Sequence, residues 1–132
     1  MSQSSSSSER SSLLDSFEAP ETSVTQVYTF ETDEVTALCP FDFGGPDYYE
    51  FTLKYVPSED CVESKSLKKF LESYRDVEIT AEGLGAEMYE EITETISPKK
   101  MYIRLEQARR GGIEETVEFG DTELKSAREQ VQ

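Results

Sequence analysis

The stretch DYYEFTLKYVPSEDCVESKSLKKFLESY, from Asp47 to Tyr74, changes period in its middle, and that change decides the fold. Tyr49, Phe51, Leu53 and Tyr55 alternate with Glu50, Thr52 and Lys54, the two-residue period of a strand with one buried face, ending near Pro57. From Ser64 onward Leu67, Phe70, Leu71 and Tyr74 recur at i, i+3, i+4 and i+7, which predicts one apolar helical face with Lys65, Lys68 and Lys69 mostly off it.

Upstream, Val24 to Phe30 and Val35 to Leu38 are rich in β-branched and aromatic residues, and the polar Glu31 to Glu34 between them reads as the turn of a hairpin leading to Cys39. Downstream, Thr80 is a fitting N-cap for a second helix carrying Leu84, Met88 and Ile92 and stopping at Ser97-Pro98. Met101, Ile103 and Leu105, then Ile113, Val117 and Phe119, flank Arg109-Arg110-Gly111-Gly112 and predict a closing β-hairpin. Strands, two helices and strands again make an α+β domain. The first 12 residues hold eight serines, so residues 1–23 read as a disordered tail, with Leu13, Leu14 and Phe17 either docking on the body or lying in a frayed linker. Residues 24–122 form the single domain that 132 residues allow, and 123–132 are a charged tail or short helix.

Thirteen basic against 28 acidic side chains give a net charge of −15. Unspecific attachment to nucleic acid or to an anionic membrane needs clustered cations and is disfavoured. The excess is not confined to one end, since the first 23 residues hold one cation and four anions. Such acidity fits a halophilic cytosol, where salt at about 1 M shortens the Debye length to about 3 Å and relaxes self-repulsion. Two cysteines, Cys39 and Cys61, make no disulfide framework, and no apolar run reaches the length of a signal-peptide core or a membrane span. A reducing cytoplasm is the expected setting, with reversible Cys39–Cys61 pairing left open.

The chain contains no histidine, so acid–base work falls to carboxylates, tyrosines, lysines or water. Cys39 closes an apolar strand before Pro40 and is either a nucleophile at a pocket wall or a small buried hydrophobe. Asp47 is the matching proton donor if it faces the sulfur, with Asp42 as its rival and turn chemistry as the plainer role. Glu63-Ser64-Lys65-Ser66 opens a helix, where amide donors hold either a ligand or a cap. Glu82 can accept two hydrogen bonds from an amidine-like purine edge or serve the helix dipole. Arg109 and Arg110 hold a phosphate or sit in a turn. No metal-ligating set is expected.

Leu38-Cys39-Pro40, Gly45-Pro46-Asp47, Val62-Glu63-Ser64-Lys65-Ser66-Leu67-Lys68 with Ser73-Tyr74-Arg75, and Arg110-Gly111-Gly112-Ile113 together resemble the short form of QueF, the NADPH-dependent 7-cyano-7-deazaguanine reductases, over residues 24–119. The resemblance implies the tunnelling fold, an antiparallel sheet with two helices on one face, assembled into ring-shaped homo-oligomers with active sites between subunits. It implies a small-molecule 7-deazapurine substrate and NADPH as cofactor, with no membrane and no nucleic acid as partner. In that reaction a thiolate adds to the nitrile as a thioimide, and two hydrides give the aminomethyl product of the queuosine pathway.

By matching position, Cys39 would be the nucleophile, Asp47 the proton donor, Val62, Glu63, Ser64 and Glu82 the substrate contacts, and Lys65, Lys68 and Arg110 the cofactor-phosphate contacts. The chain departs twice. Cys39 to Asp47 is eight residues where the family has seven, and Ala81 stands where the family's His-Glu pair has histidine. Two alternatives follow: a QueF-like amidinotransferase forming archaeosine on nitrile-bearing tRNA, although that group tends to lose the Glu-Ser-Lys-Ser segment, and a non-catalytic purine-binding or interaction protein.

Overall fold

The computed structural model describes residues 9–10, 12–41 and 46–126, apart from the side chains of Arg110 and Ser126. The strands are β1 (Ser16–Glu18), β2 (Tyr28–Leu38), β3 (Pro46–Val56), β4 (Asp60–Val62), β5 (Lys100–Arg110) and β6 (Ile113–Gly120). The helices are α1 (Ser64–Glu72) and α2 (Ala81–Ile96), and a 3-10 turn spans Thr122–Ser126. β2, β3, β5 and β6 form one antiparallel sheet in that spatial order, while β1 pairs with β4 as a small separate ribbon.

Period-two alternation puts Phe51, Leu53 and Tyr55 on the face that the helices cover, directly across from Leu105, Ile103 and Met101 of β5. α1 lays Leu67, Phe70 and Leu71 onto that layer, and the Phe70 ring meets Tyr74 edge to face with centroids 5.5 Å apart. Burying each such side chain contributes about 1.5–3 kcal/mol. α2 covers β5 and β6 with Leu84, Met88, Ile92 and Ile96. It runs from the expected Thr80 cap, whose hydroxyl oxygen accepts from the Gly83 N–H at 3.0 Å, to Ser97, which takes the left-handed conformation just before Pro98.

The hairpin expected over 24–38 is instead one continuous strand, β2, with a bulge between Thr32 and Val35. The acidic Glu31–Glu34 run looks like a turn in sequence, yet on an edge strand a bulge tolerates those exposed charges and keeps the ladder. The closing hairpin is as expected: Gly111 and Gly112, with φ of 57° and 83°, form the two-residue turn that demands positive φ at both positions.

The packed body begins earlier than Val24. Leu14 is buried in the core, the Glu63 N–H donates to the Asp15 carbonyl at 2.9 Å, and the Ser66 hydroxyl oxygen accepts from the Asp15 N–H at 2.9 Å. Farther up the chain the buried Arg10 guanidinium lies over the Tyr74 ring, 4.6 Å from its centroid, and pairs with Glu87 at 2.5 Å; the Tyr74 hydroxyl donates to the same carboxylate. On the opposite face of the sheet, the buried Lys54 ammonium donates to the Leu124 and Lys125 carbonyls and so pins the 3-10 turn.

Candidate active site

Strand register settles the relation between the cysteine and the aspartate. Leu38 pairs with Pro46 and Ala37 with Asp47, so Cys39, the first residue past the end of β2, follows within two residues of Asp47's partner, and both line one cavity. The extra residue of the Cys39–Asp47 segment therefore leaves the pair together. Asp42, the rival acid, lies outside the described residues. Asp47 is only 4% exposed, whereas the Cys39 thiol is half-buried and its Sγ accepts from the Phe41 N–H at 3.4 Å.

A short parallel bridge brings the second helix to the same place. The Leu38 N–H donates to the Val77 carbonyl at 2.9 Å, and the Ile79 N–H donates to the Leu38 carbonyl at 3.0 Å. That contact delivers Thr80, Ala81 and Glu82, the opening of α2, beside Cys39. A cavity of about 300 Å³ results, lined by Cys39, Asp47, Ala81, Glu82, Gln107 and Glu115 among others.

Two groups in this region were not singled out in the sequence. Glu115 occupies the inward position of β6 in step with Val117 and Phe119, and lines the cavity with Glu82. The contact with Glu115, with help from the Glu82 N–H and the Thr80 hydroxyl, draws Glu82 below the usual carboxylate range, and the contact with Glu82, followed by burial, pushes Glu115 above it. The visible signal was a charged residue at an inward position of an apolar alternation. Tyr49 was read as one more apolar residue of β3, yet its hydroxyl is buried and has no hydrogen-bond partner among the described residues. An orphaned buried hydroxyl costs about 1–3 kcal/mol. Burial, and then the charges of Asp47, Glu115, Cys39 and Glu82, raise its pKa, so it stays a donor.

The remaining candidates lie elsewhere in the chain. Val62 is buried in β4, and Glu63 caps α1, its carboxylate accepting from the Lys65 and Ser66 N–H groups at 2.9 and 2.8 Å, which lowers its pKa. Ser64 and Lys68 line a second cavity of about 280 Å³ between α1 and β2, with Phe30, Val35 and Phe51. Neither Lys65 nor Lys68 has an ion-pair partner among the described residues. The backbone of Arg110 closes the β5–β6 hairpin opposite Ile113, and its side chain is outside the described residues. Both thiols are free, and Cys61 is buried against Tyr55. No group of metal-ligating side chains occurs among the described residues, nor is any helix there long and apolar enough to cross a membrane.

A two-helix α+β domain that presents a half-buried thiol and an acidic cavity at one end of its sheet is the class defined here. The family described as QueF-like protein matches residues 46–126. The chain is 38% identical over 112 residues to the NADPH-dependent 7-cyano-7-deazaguanine reductase of Halorhodospira halophila, covering 85% of this chain and 94% of that protein. It is 37% identical over 101 residues to the reductase of the same name from Thermoanaerobacter pseudethanolicus, covering 76% and 75%, and 37% over 92 residues to that of Chlorobaculum tepidum, covering 68% and 78%. A crystal structure of the archaeosine synthase QueF-Like in its apo form superposes with a TM-score of 0.67 at 22% identity, over 72% of this chain and 92% of that one. The chain belongs to the QueF-like protein family.

Proposed function

We propose that the protein is an NADPH-dependent 7-cyano-7-deazaguanine reductase, with Cys39 as nucleophile. The observation that carries this reading is the register-fixed pair of Cys39 and Asp47 on one cavity with Glu82, in a chain 38% identical to a reductase across 85% of its length. The archaeosine-forming alternative rests on a solved structure at 22% identity, which carries the fold alone.

Asp47 takes the Cys39 proton as sulfur approaches the nitrile carbon. The S–C bond forms, one C–N π bond breaks, and Asp47 returns that proton to the nitrogen, leaving a thioimide on Cys39. NADPH, when bound, supplies the hydrides that take this carbon to the aminomethyl product. Glu82, ionised beside Glu115, holds the ring N–H and exocyclic amine of the base and so fixes the nitrile over the sulfur.

Lys65 and Lys68 suit the cofactor phosphates because neither cation is engaged in an ion pair among the described residues. The first amides of α1 are less suited, since Glu63 already occupies them. Arg110 would join these lysines as a phosphate contact. Val62, Glu63 and Ser64 border no part of the Cys39 cavity within one chain, so they serve as substrate contacts across a subunit boundary. A homo-oligomer built on the tunnelling fold supplies that boundary. Exposed Val24, Phe41, Tyr48 and Ile113, with the open edges of β2 and β6, are the surfaces available for it. Free thiols fit a cytoplasmic setting, and the net charge of −15 fits a salt-requiring enzyme whose activity falls on dialysis into dilute buffer.

The test mixes the purified protein with the free nitrile base in high salt and follows NADPH absorbance and intact-protein mass. A thioimide adduct with NADPH consumption supports the reductase. An adduct without NADPH consumption, or none at all, rejects it.

A further inference from the structure

Across the sheet, Tyr49, Gln107 and Glu115 stand directly opposite one another on β3, β5 and β6, so their side chains share one face and form a transverse polar row. Glu82 meets this row from the first turn of α2, held against β6 by the close approach at Gly85, where an added Cβ would lie 2.3 Å from the Phe119 ring. The row contains two unusual features. Two carboxyl groups, Glu82 and Glu115, line one cavity, with Glu82 drawn below and Glu115 pushed above the usual carboxylate range by their mutual contact, and the Tyr49 hydroxyl, with the residue only 2% exposed, has no hydrogen-bond partner among the described residues. A structural ion pair would have placed a cation here. An acid–acid pair beside an orphaned donor is instead a set of hydrogen-bonding groups short of its ligand.

The ligand chemistry can be read from the donors and acceptors, and it rests on the reductase reading above. A guanine-type base presents a carbonyl acceptor at position 6, then the ring N–H, then the exocyclic amine. An ionised carboxylate offers two acceptors to the N–H and the amine, and a protonated carboxyl next to it offers one donor to the carbonyl. We propose that Glu115 is a specificity-determining residue: as its carboxylic acid it donates to the 6-oxo oxygen of the bound 7-deazaguanine, while Glu82 accepts from the neighbouring N–H and amine. In the free protein the Glu115 proton faces Glu82. When the base arrives, its two donors take over both Glu82 oxygens and release that proton to the carbonyl. No proton is gained or lost by the pair.

Steady-state kinetics on the full chain test this with two substrates, the 6-oxo nitrile base and its 6-thioxo analogue, which keeps the ring N–H and the amine but is a poor acceptor. Glu115→Ala should raise KM for the oxo base roughly tenfold while leaving KM for the thioxo base within about threefold. Glu115→Gln, which keeps a donor, should restore most of the oxo affinity. The groups facing Glu115 are Glu82 from α2, Tyr49 and Asp47 from β3 and Cys39 beyond β2. The oxo KM of the unsubstituted protein should rise as pH climbs through the Glu115 titration, and that rise should be absent in Glu115→Gln, where the other four remain. A steric role would instead lower the thioxo KM and leave the oxo KM alone, which overturns the inference, as does an unchanged oxo KM in Glu115→Ala. Absence of any NADPH turnover by the unsubstituted protein overturns the reductase reading itself, and the inference with it.

Discussion

The two ends of the helix layer solve the same problem in opposite ways. At the first turn of α1, Glu63 satisfies its own neighbours: its carboxylate closes onto two amides within three residues of chain. At the first turn of α2, Thr80 does the capping, and Glu82 is left to face Glu115 across more than thirty residues of sequence. A carboxylate spent on a local cap is a structural part. One that meets another carboxylate inside a cavity beside a thiol is available to a ligand. The same residue type near the start of each helix thus has different chemistry, because Glu63 is itself the cap of α1 whereas Glu82 sits two residues past the Thr80 cap of α2.

The largest effect that tests this contrast is at the sulfur. Cys39→Ala should abolish the adduct in the mass spectrum and lower the rate of NADPH oxidation by about four orders of magnitude, as loss of a covalent nucleophile does. A residual rate within tenfold of the parent would move the chemistry away from the α2 end. Asp47→Asn comes next. It should lower kcat by roughly 10²–10⁴-fold with little change in KM, because the proton relay and not the grip on the base is lost. A change in KM alone would make Asp47 a binding residue.

At the α1 end the effects should be smaller and of another kind. Lys68→Ala should raise KM for NADPH about fivefold to tenfold, weaken further with added salt, and leave the adduct with the nitrile base intact. Loss of the adduct would join the two ends into one site. Smallest is the pH response of the Glu63 cap. Its folded pKa lies below the ordinary value of 4.5, so its contribution to α1 is present above that value and fades as pH falls through the depressed one. Amide exchange at Lys65 and Ser66 should therefore quicken on acidification below about 4.5, relative to the intrinsic rate, and Glu63→Gln should remove that response.

Most of the fold could be read from the sequence because its signals are local. The alternations of β3 and β5, the apolar stripe of α1 and the Thr80-to-Pro98 punctuation of α2 each lie within one element. β1 and β4 escaped because each is three residues long and they pair only with each other, a contact made across 41 residues of intervening chain rather than fixed by any pattern. Leu14 had docking as one of its two readings, whereas Arg10 was hidden by the serine-rich composition around it. The Glu31–Glu34 charges mimicked a turn because an edge bulge and a loop make the same demand for solvation. For the candidate site, Cys39, Asp47 and Glu82 followed from resemblance, and register then explained how an extra loop residue leaves the first two adjacent. Glu115 and the Tyr49 hydroxyl needed cross-strand pairing before they became visible, since nothing in either strand alone says which residue stands opposite which.

The Arg10 contact makes the amino-terminal segment a timer. Trypsin must seat that guanidinium in its own pocket, and here the group is already held between Glu87 and the Tyr74 ring with 4% of the residue exposed. Cleavage after Arg10 can proceed only from molecules in which this contact has opened, so its rate reports how often Arg10 leaves Glu87 and Tyr74 while the sheet beneath stays folded.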